Sequence, residues 1–271
     1  MNKFWLAAAM LGSASVAQAA DLPVLRGGFT DGLTTTRVVN WEGFYVGGQG
    51  GYGSMDANLG NGNSGMLNDL LSGYLIDSEM GVSSWKFPGG KQSSRSAVFG
   101  AFGGYNAQWE DVVIGLEASY MHGSFSAAST ATKGVDQQLS DGLFHDVSAT
   151  SSTGISITDM ATFRGRAAYA WGSFLPYMFG GFALGNANIT RSVLVQDYVS
   201  QVQYGPGTSL VPFSGSEGLH NHLIYGYTLG LGVDMNLTGG LFMRAEWEYV
   251  RFTNQVDVSM NTARLGLGYK F

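Results

Sequence analysis

In the stretch 223–235 every second residue is a large apolar side chain: Leu223, Tyr225, Tyr227, Leu229, Leu231, Val233 and Met235. Between them stand Ile224, Gly226, Thr228, Gly230, Gly232 and Asp234. The last ten residues repeat the scheme, with Leu265, Leu267, Tyr269 and Phe271 alternating with Arg264, Gly266, Gly268 and Lys270. A period of two is the repeat of a strand with two unlike faces, and helical periodicity cannot produce it. A strand that ends on the terminal Phe271 suits a closed sheet whose first and last strands must meet.

The same alternation recurs along the chain. In 41–54 Phe44, Val46 and Tyr52 point one way and Tyr45 and Gln49 the other. In 97–109 Phe99, Ala101, Tyr105 and Trp109 oppose Asn106 and Gln108. After a tight turn at Glu110-Asp111, Val112, Ile114, Leu116, Ala118 and Tyr120 alternate with Gly115, Glu117 and Ser119. Ala161, Phe163, Ala167, Tyr169 and Trp171 oppose Thr162, Arg164 and Arg166. Past a short turn at Gly172-Ser173, Leu175, Tyr177, Phe179 and Ala183 read as the apolar face, against Asn186 and Asn188, although Met178, Phe182 and Leu184 blur the polar one. Leu241, Met243, Ala245, Trp247 and Tyr249 face away from Arg244, Glu246 and Glu248.

Together these segments predict eight strands. Polar segments at 55–93, 124–154 and 192–219 read as long loops; the connections at 110–111, 172–173 and 236–240 are short, and that at 253–257 is brief. Antiparallel strands alternate direction, so all short turns fall at one end and the long loops at the other. The prediction is all-β: an eight-stranded antiparallel transmembrane β-barrel with long extracellular loops and short periplasmic turns. About ten residues per strand at ~3.4 Å each, tilted ~45°, span roughly 24 Å, the height of a bilayer's apolar band.

A soluble barrel has the same period, so charge placement has to decide which face is outside. Glu117, Arg164, Arg166, Asp234, Arg244, Glu246, Glu248 and Arg264, four acids and four bases, all occupy the polar face, and the central band of the apolar face carries none. An Arg facing lipid at mid-depth costs roughly 2 to 4 kcal/mol. The charged face is therefore expected to line the lumen. An eight-stranded barrel is narrow enough for side chains to fill, so these groups should pair as an ion-pair network that plugs it. Glycines at 226, 230, 232, 266 and 268 are expected to leave room for the facing Arg and Glu side chains. A narrow channel is the alternative.

Composition agrees with a membrane setting. Charged residues make up 13% of the chain, against roughly 25% for a soluble domain. There is no cysteine for disulfides or thiolate metal sites, and a net charge of -6 gives no reason to expect nucleic acid as a partner. Lys3, the apolar run 4–11 and Ala17-Gln18-Ala19 have the layout of a secretory signal peptide. The expected organisation is a signal peptide at 1–20, a periplasmic extension at 21–40 and the barrel at 41–271.

Several motifs resemble one family. Asn40-Trp41-Glu42-Gly43-Phe44-Tyr45-Val46-Gly47-Gly48 after Leu22-Pro23, Gly104-Tyr105-Asn106, Arg164-Gly165-Arg166, Leu175-Pro176-Tyr177, Arg244-Ala245-Glu246-Trp247-Glu248-Tyr249 and the closing Leu267-Gly268-Tyr269-Lys270-Phe271 are similar to the alphaproteobacterial branch of small outer-membrane β-barrel surface antigens of Gram-negative bacteria, which are porin-like and opacity-protein-like. The resemblance spans the chain from Trp41. It implies an outer-membrane location, contact with lipid and lipopolysaccharide, a contribution to envelope integrity, surface interactions with a host ligand and, in some members, haemin binding or weak porin activity. Insertion through the barrel assembly machinery is expected to use the C-terminal strand ending in Phe271.

All four histidines fall at the long-loop end: His122, His145, His220 and His222. His220 and His222 share a face at i, i+2, and imidazole ligates haem iron or a divalent metal. These four are the candidate haem or metal ligands, and no other cofactor is implied. Met66, Leu67, Leu70, Leu71, Tyr74 and Leu75 follow i, i+3, i+4 spacing and predict a short amphipathic helix in the first loop, packed on that loop, over the barrel mouth or on the outer leaflet surface. Glu117 and Ser119 do not join a Ser/His/acid set with plausible geometry, so catalysis is not expected.

Overall fold

A computed structural model describes residues 39–59, 63–87, 91–253 and 257–271. The signal peptide expected at 1–20 lies outside the described residues, as does the extension expected at 21–40 except for Val39 and Asn40. The strands are β1 (Gly43–Asn58), β2 (Lys91–Trp109), β3 (Val112–Gln138), β4 (Phe144–Tyr169), β5 (Phe174–Ser200), β6 (Thr208–Ser209), β7 (Phe213–Thr238), β8 (Leu241–Phe252) and β9 (Asp257–Lys270). The two-residue β6 pairs only with β5. The other eight form an antiparallel ring, closed between β1 and β9 from Tyr45 opposite Lys270 to Asn58 opposite Asp257. Phe271 N–H adds a bond to the Phe44 carbonyl at 2.9 Å. No described helix is long and apolar enough to cross a membrane.

Alternation becomes burial around nearly all of the ring. Phe44, Phe99, Leu116, Phe163, Leu229, Trp247 and Leu265 are exposed on the outside, while Gln49, Asn106, Glu117, Arg164, Thr228, Glu248 and Arg264 are buried inside. β5 is the exception to the sequence reading. Leu175, Tyr177, Phe179 and Ala183 face the lumen and are buried, whereas Met178 and Phe182 point outward and are 62% and 75% exposed. Both faces of β5 are apolar because its lumen side carries rings that stack on guanidinium groups, so hydropathy alone does not separate them.

The polar segments at 124–154 and 192–219 are largely paired sheet rather than loops. β3 and β4 stay in register out to Gln138 opposite Phe144, and β4 pairs with β5 as far as Phe144 opposite Ser200. Ser, Thr, Ala and Gly hide the alternation here, since their hydropathies are too alike to mark a face, yet the backbone ladder forms regardless. Register shifts between His122 and Phe125, between Ile157 and Asp159, and between Ala187 and Ile189 follow one another across neighbouring strands. They mark the level at which the closed barrel gives way to a four-stranded extension of β3, β4, β5 and β7. Such bulges bend strands and increase their twist.

Two helices occupy the connection between β1 and β2: α1 (Ser64–Leu71) and α2 (Leu75–Met80). The chain turns between them at Gly73, whose φ of 86° suits glycine. Leu67 and Leu71, one turn apart, are fully buried with Ile76 and Val82 against Val147, Ala149, Val193 and Val195 of β4 and β5. The apolar stripe thus packs on the inner face of the sheet extension and not only on its own loop.

Candidate functional site

The eight charged residues project into one continuous cluster inside the ring. Antiparallel pairing sets three of the contacts directly: Glu117 lies opposite Arg164 on β3 and β4, Asp234 opposite Arg244 on β7 and β8, and Glu246 opposite Arg264 on β8 and β9. Closure of the ring adds the contacts across it. Arg164 Nε donates to Glu117 Oε1 at 2.9 Å, and its Nη2 lies 2.8 Å from Glu246 Oε2. Arg244 donates to Asp234 Oδ1 from Nε and to Glu117 Oε2 from Nη1, both at 2.8 Å. Arg166 donates to Asp234 Oδ2 at 2.8 Å, and Arg264 contacts Glu246. Arg264 Nη1 also lies 2.6 Å from Glu248 Oε2, an ion pair without hydrogen-bonding geometry. Side chains of all eight are at most 2% exposed. Removing so many charges from water is costly, and only multiple short contacts of this kind offset it.

Sequence reasoning missed five neighbours that complete the cluster. Tyr45 donates to Glu117 at 2.7 Å, Tyr177 to Glu246 at 2.9 Å and Thr228 to Glu248 at 2.7 Å. The guanidinium of Arg164 lies 4.0 Å from the Phe179 ring centre, that of Arg166 3.9 Å from Tyr177 and that of Arg244 3.9 Å from Phe102. These are cation-π distances. Three of the lumen glycines make room for rings: a Cβ at Gly230 would meet Phe179, one at Gly232 would meet Tyr177, and one at Gly268 would meet Phe242, whereas one at Gly226 would meet the Arg251 backbone and one at Gly115 the side chains of Asn106 and Arg166. The available signal was Leu175-Pro176-Tyr177, whose tyrosine shares parity with Leu175 and Phe179 and so reads as lipid-facing.

Apolar layers lie on both sides of the charges. Toward the short turns, Trp41, Phe102, Val113, Leu175 and Phe242 are buried in one cluster. Toward the extension, Met55, Met121, Phe125, Ile157, Ile224, Phe252 and Met260 form another. Above that lies the helix-covered layer built on Leu67 and Leu71.

The four histidines are not brought together. His122 is on the outer face, its Nδ1 2.8 Å from Asp159. His145 is buried near the tip of the β3–β4 hairpin between Asp197 at 2.8 Å and Asp141 at 3.1 Å. Burial disfavours its charged form, but the hydrogen bonds its ring donates to both carboxylates outweigh that and hold its pKa above the ordinary imidazole value. His220 is exposed and His222 half-buried, because a register shift and the positive φ of Asn221 interrupt the alternation that would place them on one face. Among the described residues no group of three or more His, Asp or Glu side chains is arranged to hold a metal ion.

Comparison with known proteins gives the following. No curated protein sequence matches. Among solved structures, the attachment invasion locus protein Ail of Yersinia pestis is 15% identical with a TM-score of 0.35, covering 85% of this chain and 99% of its own. Neisserial surface protein A is 14% identical with a TM-score of 0.33, covering 84% and 97%. The N-terminal β-barrel domain of Pseudomonas aeruginosa OprF is 15% identical with a TM-score of 0.30, covering 84% and 97%. The family model of the outer membrane protein beta-barrel domain matches residues 5–271, nearly the whole sequence, and the chain therefore belongs to that family of the outer membrane.

Proposed function

We propose that this protein is a non-conducting barrel that supports the envelope and presents a rigid extracellular sheet for surface interactions. The observation that carries this reading is the filled lumen: charged side chains at most 2% exposed lie between two apolar layers. A solute would have to separate multiply bonded ion pairs and pass both layers, and breaking one buried pair alone costs about 3–5 kcal/mol. Single-channel recording in planar bilayers tests it. The expected result is no steady conductance. A steady conductance that changes on Arg164→Ala or Glu246→Ala would establish the narrow channel instead.

The motifs around Trp41, Arg164, Arg244 and Phe271 support a finer placement in the alphaproteobacterial branch of surface antigens. Insertion through the barrel assembly machinery by way of β9 and a host-surface ligand for the extension belong to the same proposal. Haemin binding rests on His220 and His222 alone.

A further inference from the structure

On the outer face of the barrel a groove of about 350 Å3 lies among residues that face the membrane. Its form follows from strand register. Ala263 on β9 lies between Tyr52 on β1 and Trp247 on β8, a small residue between two large ones in one cross-strand row. Tyr52 and Trp247 are 57% and 46% exposed and stand as walls. The next row toward the extracellular side is Arg95, Ser54 and Asn261, in neighbouring positions on β2, β1 and β9. The groove is therefore apolar at its membrane end and offers a cation, a hydroxyl and an amide at its outer end.

We infer that this groove seats a phosphorylated glycolipid of the outer leaflet, with an acyl chain over Ala263 between Tyr52 and Trp247 and a phosphate against Arg95. Two observations select this occupant. A groove open to the bilayer is lined by hydrocarbon chains, and leaving it unfilled forfeits dispersion contacts on Tyr52 and Trp247. Arg95 is exposed and, among the described residues, has no carboxylate at ion-pair distance, whereas the outward Arg251 is 3.1 Å from Asp257. The nearby outward carboxylate of β1, Asp56, accepts a bond from Ser93. A phosphate supplies the charge that Arg95 lacks, and Ser54 and Asn261 supply further donors to its oxygens.

The test is native mass spectrometry of the full barrel from nonionic detergent, with bisphosphorylated lipid A and its dephosphorylated form at equal concentration. Wild type should retain one phosphorylated lipid about fivefold better than the dephosphorylated one, the factor for one basic residue at an anionic membrane surface. Arg95→Gln should abolish the preference, and Ala263→Leu, which fills the groove, should reduce retention of both lipids. Heat-modifiable migration reports whether each variant is folded; if Ala263→Leu does not fold, Tyr52→Ala, which removes one wall, should weaken retention of both lipids. Equal retention of both lipids by wild type, or retention unchanged in Arg95→Gln and in the groove variant, would overturn the inference. So would barrel dimers in place of lipid adducts, which would make the groove an interface between copies. None of these outcomes depends on whether the lumen conducts.

Discussion

Replacing Arg244 by Met isolates what the lumen network contributes. The guanidinium makes two hydrogen bonds to Asp234, at 2.8 and 3.1 Å, and one to Glu117 at 2.8 Å, and it stacks on Phe102. Its removal leaves four acids facing three bases in a space closed to water. Asp234 keeps Arg166, and Glu117 keeps Arg164, Arg166 and Tyr45, so neither carboxylate is orphaned, but the lumen gains a net negative charge. Breaking a buried ion pair in this way costs about 3–5 kcal/mol. With a slope of roughly 2–3 kcal/mol per molar, urea unfolding of the detergent-folded barrel should lose ~1 to 2.5 M in its midpoint. The informative variant is the double Arg244→Met, Asp234→Asn, which restores charge balance and should recover at least ~1 kcal/mol relative to the single. A single variant costing less than ~1 kcal/mol, or a double variant less stable than the single, would refute the argument that charge balance in a dry lumen governs the stability of the barrel.

Gly232→Ala should destabilise the barrel by about 1–3 kcal/mol, because the added Cβ meets the Tyr177 ring and displaces its hydroxyl from Glu246; thermal unfolding by heat-modifiable migration measures it. His145 should hold the hairpin tip more firmly in acid than in base. Its pKa is raised in the folded state, so the stabilisation is fully present below the unfolded value of about 6.5 and is lost as pH rises through the folded value. Amide hydrogen exchange around 139–145, corrected for intrinsic rates, should therefore quicken between pH 5.5 and 8.5, and His145→Gln should remove the difference. Haemin titrated into the folded barrel should shift its Soret band if His220 and His222 ligate it, and a shift unchanged in His220→Ala, His222→Ala would exclude that pair.

Much of this was legible beforehand because a strand's two faces are a local property. The eight charged positions could be assigned to the lumen from parity and from the cost of Arg in lipid, without knowing which strands meet. Tyr177 and Phe179 could not. Their neighbours on both faces of β5 are apolar, and only the Arg164 and Arg166 guanidiniums stacked on them show why rings belong inside. The segment 124–154 failed for a different reason. Ser126 lies opposite Ser156, Thr130 opposite Ser152 and Thr132 opposite Thr150, and such pairs build a ladder without marking an inside. The separation of His145 from His220 and His222 likewise depends on how far the hairpin extends beyond the register shifts.

Period-two patterning and the sign and number of ionic groups alone settled the class of fold, the membrane setting and which side of most strands meets lipid, since each of these follows from neighbours along one chain segment. Ring closure decided the rest: which guanidinium reaches which carboxylate, which rings stack on them, and which small residue sits between Tyr52 and Trp247. Those contacts join residues far apart along the chain, as between Glu117 and Arg244 or between Tyr52 and Ala263, and their partners are chosen by strand register around the whole circumference.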